Sequence, residues 1–288
     1  MLKKLSIIFL LLTPLLSINS QEDLLDDLKK ESSEKTSFEL PAFKAMQIGN
    51  LQSTKIAAKG DLYLIVAHRF GPFSEGVDEF FGLDGANTKI QFAYSFWDGI
   101  QFSLSRDSFE KTYSGSTKIR LTKQSSDFPL NLVAYGSTDI ASQLKTKNTP
   151  GLRFKDRVSI TAQLLASRRI NKNLSLLIAP TFVRQNNLQK FNQTGDLNLN
   201  QFILGIGGRL KVSKRMSINA DYVLNLSRHE RSIFSNPITL GLDIETGGHV
   251  FQLVFTNSRA SNDSGFLTRT EGESIKNIAF GFNVVRVF

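Results

Sequence analysis

Residues 278–288 read IAFGFNVVRVF, and the spacing of their apolar side chains decides the fold. Phe280, Phe282, Val284 and Phe288 share one parity, while Ala279, Gly281 and Asn283 share the other. Successive side chains of a strand point to opposite faces, so this is a strand with one apolar face and one small or polar face. An aromatic chain end is expected only where something holds it, since free termini are normally polar. A membrane–water boundary is such a place, because aromatic rings are favoured there. Arg286 also falls on the apolar parity. Close to an interface it can snorkel toward head groups at a cost of about 0–1 kcal/mol, against ~2–4 kcal/mol at the bilayer midplane.

The same period of two runs back through the chain. Val158, Ile160, Ala162 and Leu164 alternate with Ser159, Thr161 and Gln163. Met216, Ile218, Ala220, Tyr222 and Leu224 alternate with Ser217, Asn219, Asp221 and Asn225. Ile100, Phe102 and Leu104 alternate with Gln101, Ser103 and Ser105. Strands are expected near 60–70, 88–96, 100–106, 116–123, 129–139, 157–168, 174–184, 199–211, 216–226, 237–244, 249–257 and 275–288. Tight turns at 97–99, 125–126, 171–173, 213–214 and 245–248 alternate with longer connections after 70 and at 107–115, 140–156, 185–198, 227–236 and 258–274. Short turns on one side and long loops on the other predict an all-β, antiparallel up-and-down transmembrane β-barrel of about 12 strands, with 14 as the alternative. The short turns and both barrel ends then face the periplasm. A soluble β-sandwich also alternates, but it needs neither an aromatic terminus nor sidedness in its loops.

Ahead of the barrel, residues 1–20 carry Lys3 and Lys4, an apolar run from Leu5 to Leu16 and small residues at Ser17 and Ser20. This is the pattern of a cleaved secretory signal. Residues 21–58 are expected as an acidic periplasmic arm or plug and 59–288 as the barrel. Cysteine is absent, which excludes disulfides and thiolate chemistry. The formal charge is +9, and its basic residues are scattered among apolar alternation rather than clustered with aromatics. Nucleic acid is therefore not an expected partner.

If Ile119 and Leu121 face lipid, Lys118 and Arg120 face the lumen. By the same parity Arg209, Asp221, Asn219, Gln163 and Gln101 face inward. A basic lumen favours anionic solutes, and Asp221 admits internal salt bridges that close it. Twelve strands lie between filled barrels and open channels. Gly205 and Gly207 of GIGGRL (205–210) are expected to face the lumen, where small residues let strands coil or side chains from the far wall fit. The phenylalanine-rich stretch 70–87 (Phe73, Phe80, Phe81) is expected to fold over or into the mouth. His68, His229 and His249 lack the three-to-five spacing of a metal site, so no cofactor is expected. His68 with Ser105 or Ser108 offers an outer-wall lipid hydrolase as a minority reading, without a nucleophile motif.

The stretches AHRFGPFSEGVDEFFGLDGANTKI (67–90), DSFEKTYSGSTKIRL (107–121) and PITLGLDIETGGHVFQLVFTNSRA (237–260), with the closing FGFNVVRVF, resemble an uncharacterised family of outer-membrane β-barrels of Gram-negative bacteria. The resemblance runs from about residue 60 onward and implies fold and location, with no assigned activity. It also implies a histidine where this chain has Val254, which weakens a metal or haem reading further. The terminal aromatic on Val284 and Phe282, ending at Phe288, resembles the C-terminal signal read by the barrel-assembly machinery. That machinery, outer-membrane lipids and a periplasmic protein met through the acidic arm are the expected partners. A narrow pore for small polar or anionic solutes, a closed structural barrel and an outer-wall hydrolase remain the three readings.

Overall fold

The computed structural model describes residues 41–188, 198–228, 232–272 and 276–288. The expected signal, residues 21–40 of the arm and His229 lie outside them. The alternating segments form twelve strands: β1 (Leu62–Pro72), β2 (Ala86–Trp97), β3 (Ile100–Asp107), β4 (Thr112–Thr122), β5 (Asn131–Ala141), β6 (Val158–Arg169), β7 (Leu174–Arg184), β8 (Asn200–Lys211), β9 (Met216–Asn225), β10 (Ile238–Thr246), β11 (His249–Thr256) and β12 (Ala279–Val287). Each pairs antiparallel with its chain neighbours, and β1 pairs with β12 to close the barrel at twelve strands, not fourteen.

The closing seam shows what holds the aromatic end. Val66 lies opposite Val284 and His68 opposite Phe282, and the Phe288 amide donates to the Leu62 carbonyl at 2.9 Å. Residue 288 thus continues the ladder. The Arg286 guanidinium sits 4.5 Å from the Phe288 ring centroid. Outward parity carries an apolar belt that includes Phe92, Leu104, Ile160, Ile178, Phe202, Ile206, Leu240 and Leu253. No helix among the described residues is long and apolar enough to cross a membrane; the strands present the apolar surface instead.

Two connections depart from expectation. The reversal between β3 and β4 takes only 108–111, because Glu110 and Lys111 both adopt left-handed backbone (φ 49° and 52°). Such a pair gives a tight reversal between twisted strands. Asn-Gly is its usual signature, so Glu-Lys carried no turn signal. The connection 123–130, on the short-turn side, is longer than that tight reversal on the opposite side. The phenylalanines of the stretch 70–87 do not fill the mouth: Phe73, Phe80 and Phe81 are exposed, and Phe73 approaches Phe255 on the outer belt, while Pro72 and Glu75 of the same stretch line its edge.

The described part of the region before β1, residues 41–58, lies inside the barrel, in the same compact unit. A second inward stretch follows β11, where 257–270 enters the lumen and carries the short helix α1 (Asp263–Thr268), buried along its whole length.

Candidate functional site: the plugged lumen and its mouth

Residues 41–58 enter from the short-turn end and turn back as a hairpin. Gln47 bridges Gln52, the Ile48 amide donates to the Leu51 carbonyl at 2.8 Å, and the Ser53 amide donates to Met46 at 3.0 Å. The tip, Ile48-Gly49-Asn50-Leu51, reaches the middle of the barrel. Asn50 uses every polar atom it has. Its amide donates to Asp221 Oδ2 (3.0 Å), its Nδ2 to Thr239 and Thr256 (3.1 Å each), and its Oδ1 accepts from Arg69 Nε and Nη2 (3.2 and 2.7 Å). Its carbonyl accepts from Gln47 Nε2. Around it, Asn283 Nδ2 donates to the Gly49 carbonyl, and Gln252 Nε2 to the carbonyls of Gln47 and Ile48.

The opposite side of the tip is apolar. Ile48, Leu51 and Ile56 pack with Val133, Leu165, Leu177, Val183, Ile203 and Val223 from the inward faces of β5 to β9, and with Phe266 and Leu267 of α1. Gly205 and Gly207 form the sockets: a Cβ at Gly205 would stand 2.8 Å from Leu51 Cδ1, and one at Gly207 2.5 Å from Ile48 Cδ1. The small residues admit side chains from the plug, not from the far wall.

Wall carboxylates hold the second inward stretch. Asp107 Oδ2 accepts from the amides of Ser261 and Asn262 (3.0 and 2.8 Å), and Asp139 Oδ2 from the Ser264 amide (2.9 Å). Lys89 Nζ donates to the Ser261 carbonyl and Tyr135 to Asp263 Oδ2. Asn262 caps α1 through the Gly265 amide. Plug and loop meet where Gln52 Nε2 donates to Asp263 Oδ1 at 3.0 Å.

The seven residues named from parity are distributed as follows. Lys118 is buried, with Nζ on the carbonyls of Met46 (3.0 Å), Ser53 (2.9 Å) and Lys55 (3.3 Å). Asp221 accepts from the tip. Arg209 pairs with Glu245 at 2.6 Å, and Asn219 is buried on the inward face of β9. Gln101 Oε1 accepts from the Ala57 amide, while Gln163 Nε2 donates to Thr181 on the neighbouring strand. Arg120 stands apart at the short-turn rim, paired with Asp98 at 2.9 Å. Parity did not find Arg69, because LYLIVAHRF is apolar on both faces and hides which parity turns inward. Asn50 carried no strand pattern at all.

On the outer wall, His68 Nδ1 lies 2.8 Å from Thr88 Oγ1, with the ring stacked on Phe282. Ser108 Oγ accepts from the Thr88 amide and donates to Asn87, and Ser105 falls on the inward parity of β3. The hydrogen-bond partner of His68 is therefore a threonine. His249 is on a different strand, beside Phe251.

A closed barrel with an apolar outer belt and its own chain in the lumen defines a plugged membrane β-barrel. The chain belongs to the membrane bound beta barrel domain family DUF5777, which it matches over residues 43–288. That match begins inside the plug, so plug and wall are parts of one domain. Among solved structures it is similar to the NanC porin, at 10% identity over 78% of this chain and 98% of that chain, with a TM-score of 0.51. It is also similar to the KdgM porin in complex with disordered oligogalacturonate (10%, 78% and 99%, TM-score 0.49). The COG4313 outer membrane channel from Pseudomonas putida F1 matches at 11%, over 81% and 97%, with a TM-score of 0.48. At 10% identity the likeness to the NanC porin is one of fold. No curated protein matches the chain.

Proposed function

We propose that this protein is a gated channel in the outer membrane of a Gram-negative bacterium, passing small polar or anionic solutes when residues 41–58 withdraw from the lumen. One observation carries this reading: wall charges are capped by the main chain of the plug. Lys118 Nζ rests on three plug carbonyls and Asp221 on two plug amides. Removing the plug leaves both charges, with Arg69 and Gln252, facing an aqueous path. Burial of Ile48 and Leu51 contributes roughly 1.5–3 kcal/mol each. Together with the hydrogen bonds of Asn50 these burials offset the ordering entropy of the plug, and the closed form gives way when a ligand or partner intervenes. In this orientation the short turns face the periplasm, where the acidic arm meets a protein partner. Residues 1–20 act as the cleaved signal, and Phe288 with Val284 and Phe282 addresses the barrel-assembly machinery.

The test uses the absence of native cysteine. A Cβ at Gly49 would stand 3.3 Å from Thr239 Cβ, close to the ~3.5–4.5 Å spacing of a disulfide. The double variant Gly49→Cys, Thr239→Cys should show no single-channel current in planar bilayers when oxidised and discrete openings after reduction. Equal current in both states, with the crosslink verified by mass, would sink the plug as gate. Absence of current from every form, including a chain lacking 41–58 that still inserts, would sink the channel.

A further inference from the structure

At the long-loop end the barrel opens into a cavity of about 590 Å³, within the range of small-molecule sites (~300–1,000 Å³). Its floor is the inward loop, which supplies Asn257, Arg259 and Arg269, with Glu271 just beyond it. Arg269 is engaged by Glu110, at 2.6 and 2.5 Å from its two oxygens. Arg259 is exposed, and its guanidinium has no hydrogen-bond or ion-pair partner among the described residues; the carboxylates of Glu75 and Glu271 have none either. Among the described residues the cavity therefore presents one free cation and two free carboxylates, with side-chain amides around them.

That combination discriminates by charge pattern. A simple anion reaching Arg259 meets two carboxylates, and a simple cation drawn to the carboxylates meets Arg259. A molecule carrying both charges finds complementary partners throughout, and like-charge juxtaposition weakens the hold on simple anions and cations without barring their passage. We propose that the mouth cavity binds small zwitterionic solutes of the amino acid or short-peptide type. The solute's carboxylate lies on Arg259, its ammonium by Glu75 and Glu271, and its peptide group by the side-chain amide of Gln143. The role of this cavity as the entry site rests on the channel reading, whereas the binding itself rests on the cavity alone. Its position suits that role, because the loop that floors it also holds Gln52 of the plug through Asp263.

Titration calorimetry of the full-length protein in detergent tests the assignment with three probes. L-alanyl-L-alanine carries both charges, its N-acetyl form lacks the ammonium, and its C-terminal amide lacks the carboxylate. The parent dipeptide should bind at least about tenfold tighter than either blocked form, and Arg259→Ala should weaken it by a similar factor. Equal affinity for all three, no binding to folded protein, or unchanged affinity in Arg259→Ala would each overturn the site. Bilayer current separates the two claims: binding by a barrel that never conducts leaves the site and removes the channel. Current through a barrel that binds no dipeptide does the reverse.

Discussion

Asn50 concentrates the energetics of the plug in one residue. Substituting alanine removes the acceptor for two Arg69 nitrogens and the donor to two threonines. A buried charged donor that loses its partner costs ~1–3 kcal/mol. Asn50→Ala should therefore shift the plug toward the undocked state by roughly five- to a hundredfold, read as longer open times in bilayers. Lys118 and Arg120 share a parity and should nevertheless behave differently. Lys118→Glu places a carboxylate against three plug carbonyls, expelling the plug and turning the exposed lumen toward cations. Arg120→Glu breaks only a rim pair, worth ~0–1 kcal/mol after solvent screening, and should leave ion preference unchanged. The Arg120 hydrogen bond holds the Asp98 carboxyl below its ordinary value. Its small stabilisation is thus present above that ordinary value and lost as pH falls through the lowered one.

At the level of elements, plug and strand β8 are complementary in shape. Gly207→Leu would drive a side chain through the position of Ile48 Cδ1, while β8 keeps its ladder to β7 and β9. Overpacking of this kind costs ~1–3 kcal/mol, and here it falls on the plug rather than on the wall. Limited proteolysis should cut within 41–58 in this variant at a protease dose that spares the wild type, with the barrel fragment intact. The inward loop depends on Asp107 in a similar way. Asp107→Ala leaves two buried amides, those of Ser261 and Asn262, without their acceptor, and should raise amide exchange across 257–270.

For the whole molecule, closure of β1 on β12 satisfies the edge that an open sheet would expose. A folded barrel should therefore resist detergent until boiled, migrating at two positions on a gel. Phe288→Glu places a charge where the ring meets the Arg286 guanidinium at the membrane boundary, and should reduce the assembled fraction in the outer membrane. Normal surface assembly of that variant would remove the terminus as an assembly signal.

The sequence by itself determined most of the wall. Alternation is a local property of each strand, so an antiparallel barrel of about twelve strands and the two faces of its clearly alternating strands could be read residue by residue, though not the faces of β1, which is apolar on both. Gly205 and Gly207 were legible as lumenal, but not their partner. Tertiary structure alone decided what fills the lumen. Asn50 lies 171 residues from Asp221 in a stretch without periodicity. Its hydrogen bonds exist only because closure brings β1, β9, β10 and β11 around one point. The same holds for the loop that enters the mouth. Phenylalanine content pointed to 70–87, whereas buried backbone amides need acceptors, and Asp107 and Asp139, brought together by the closed wall, supply them to Ser261, Asn262 and Ser264.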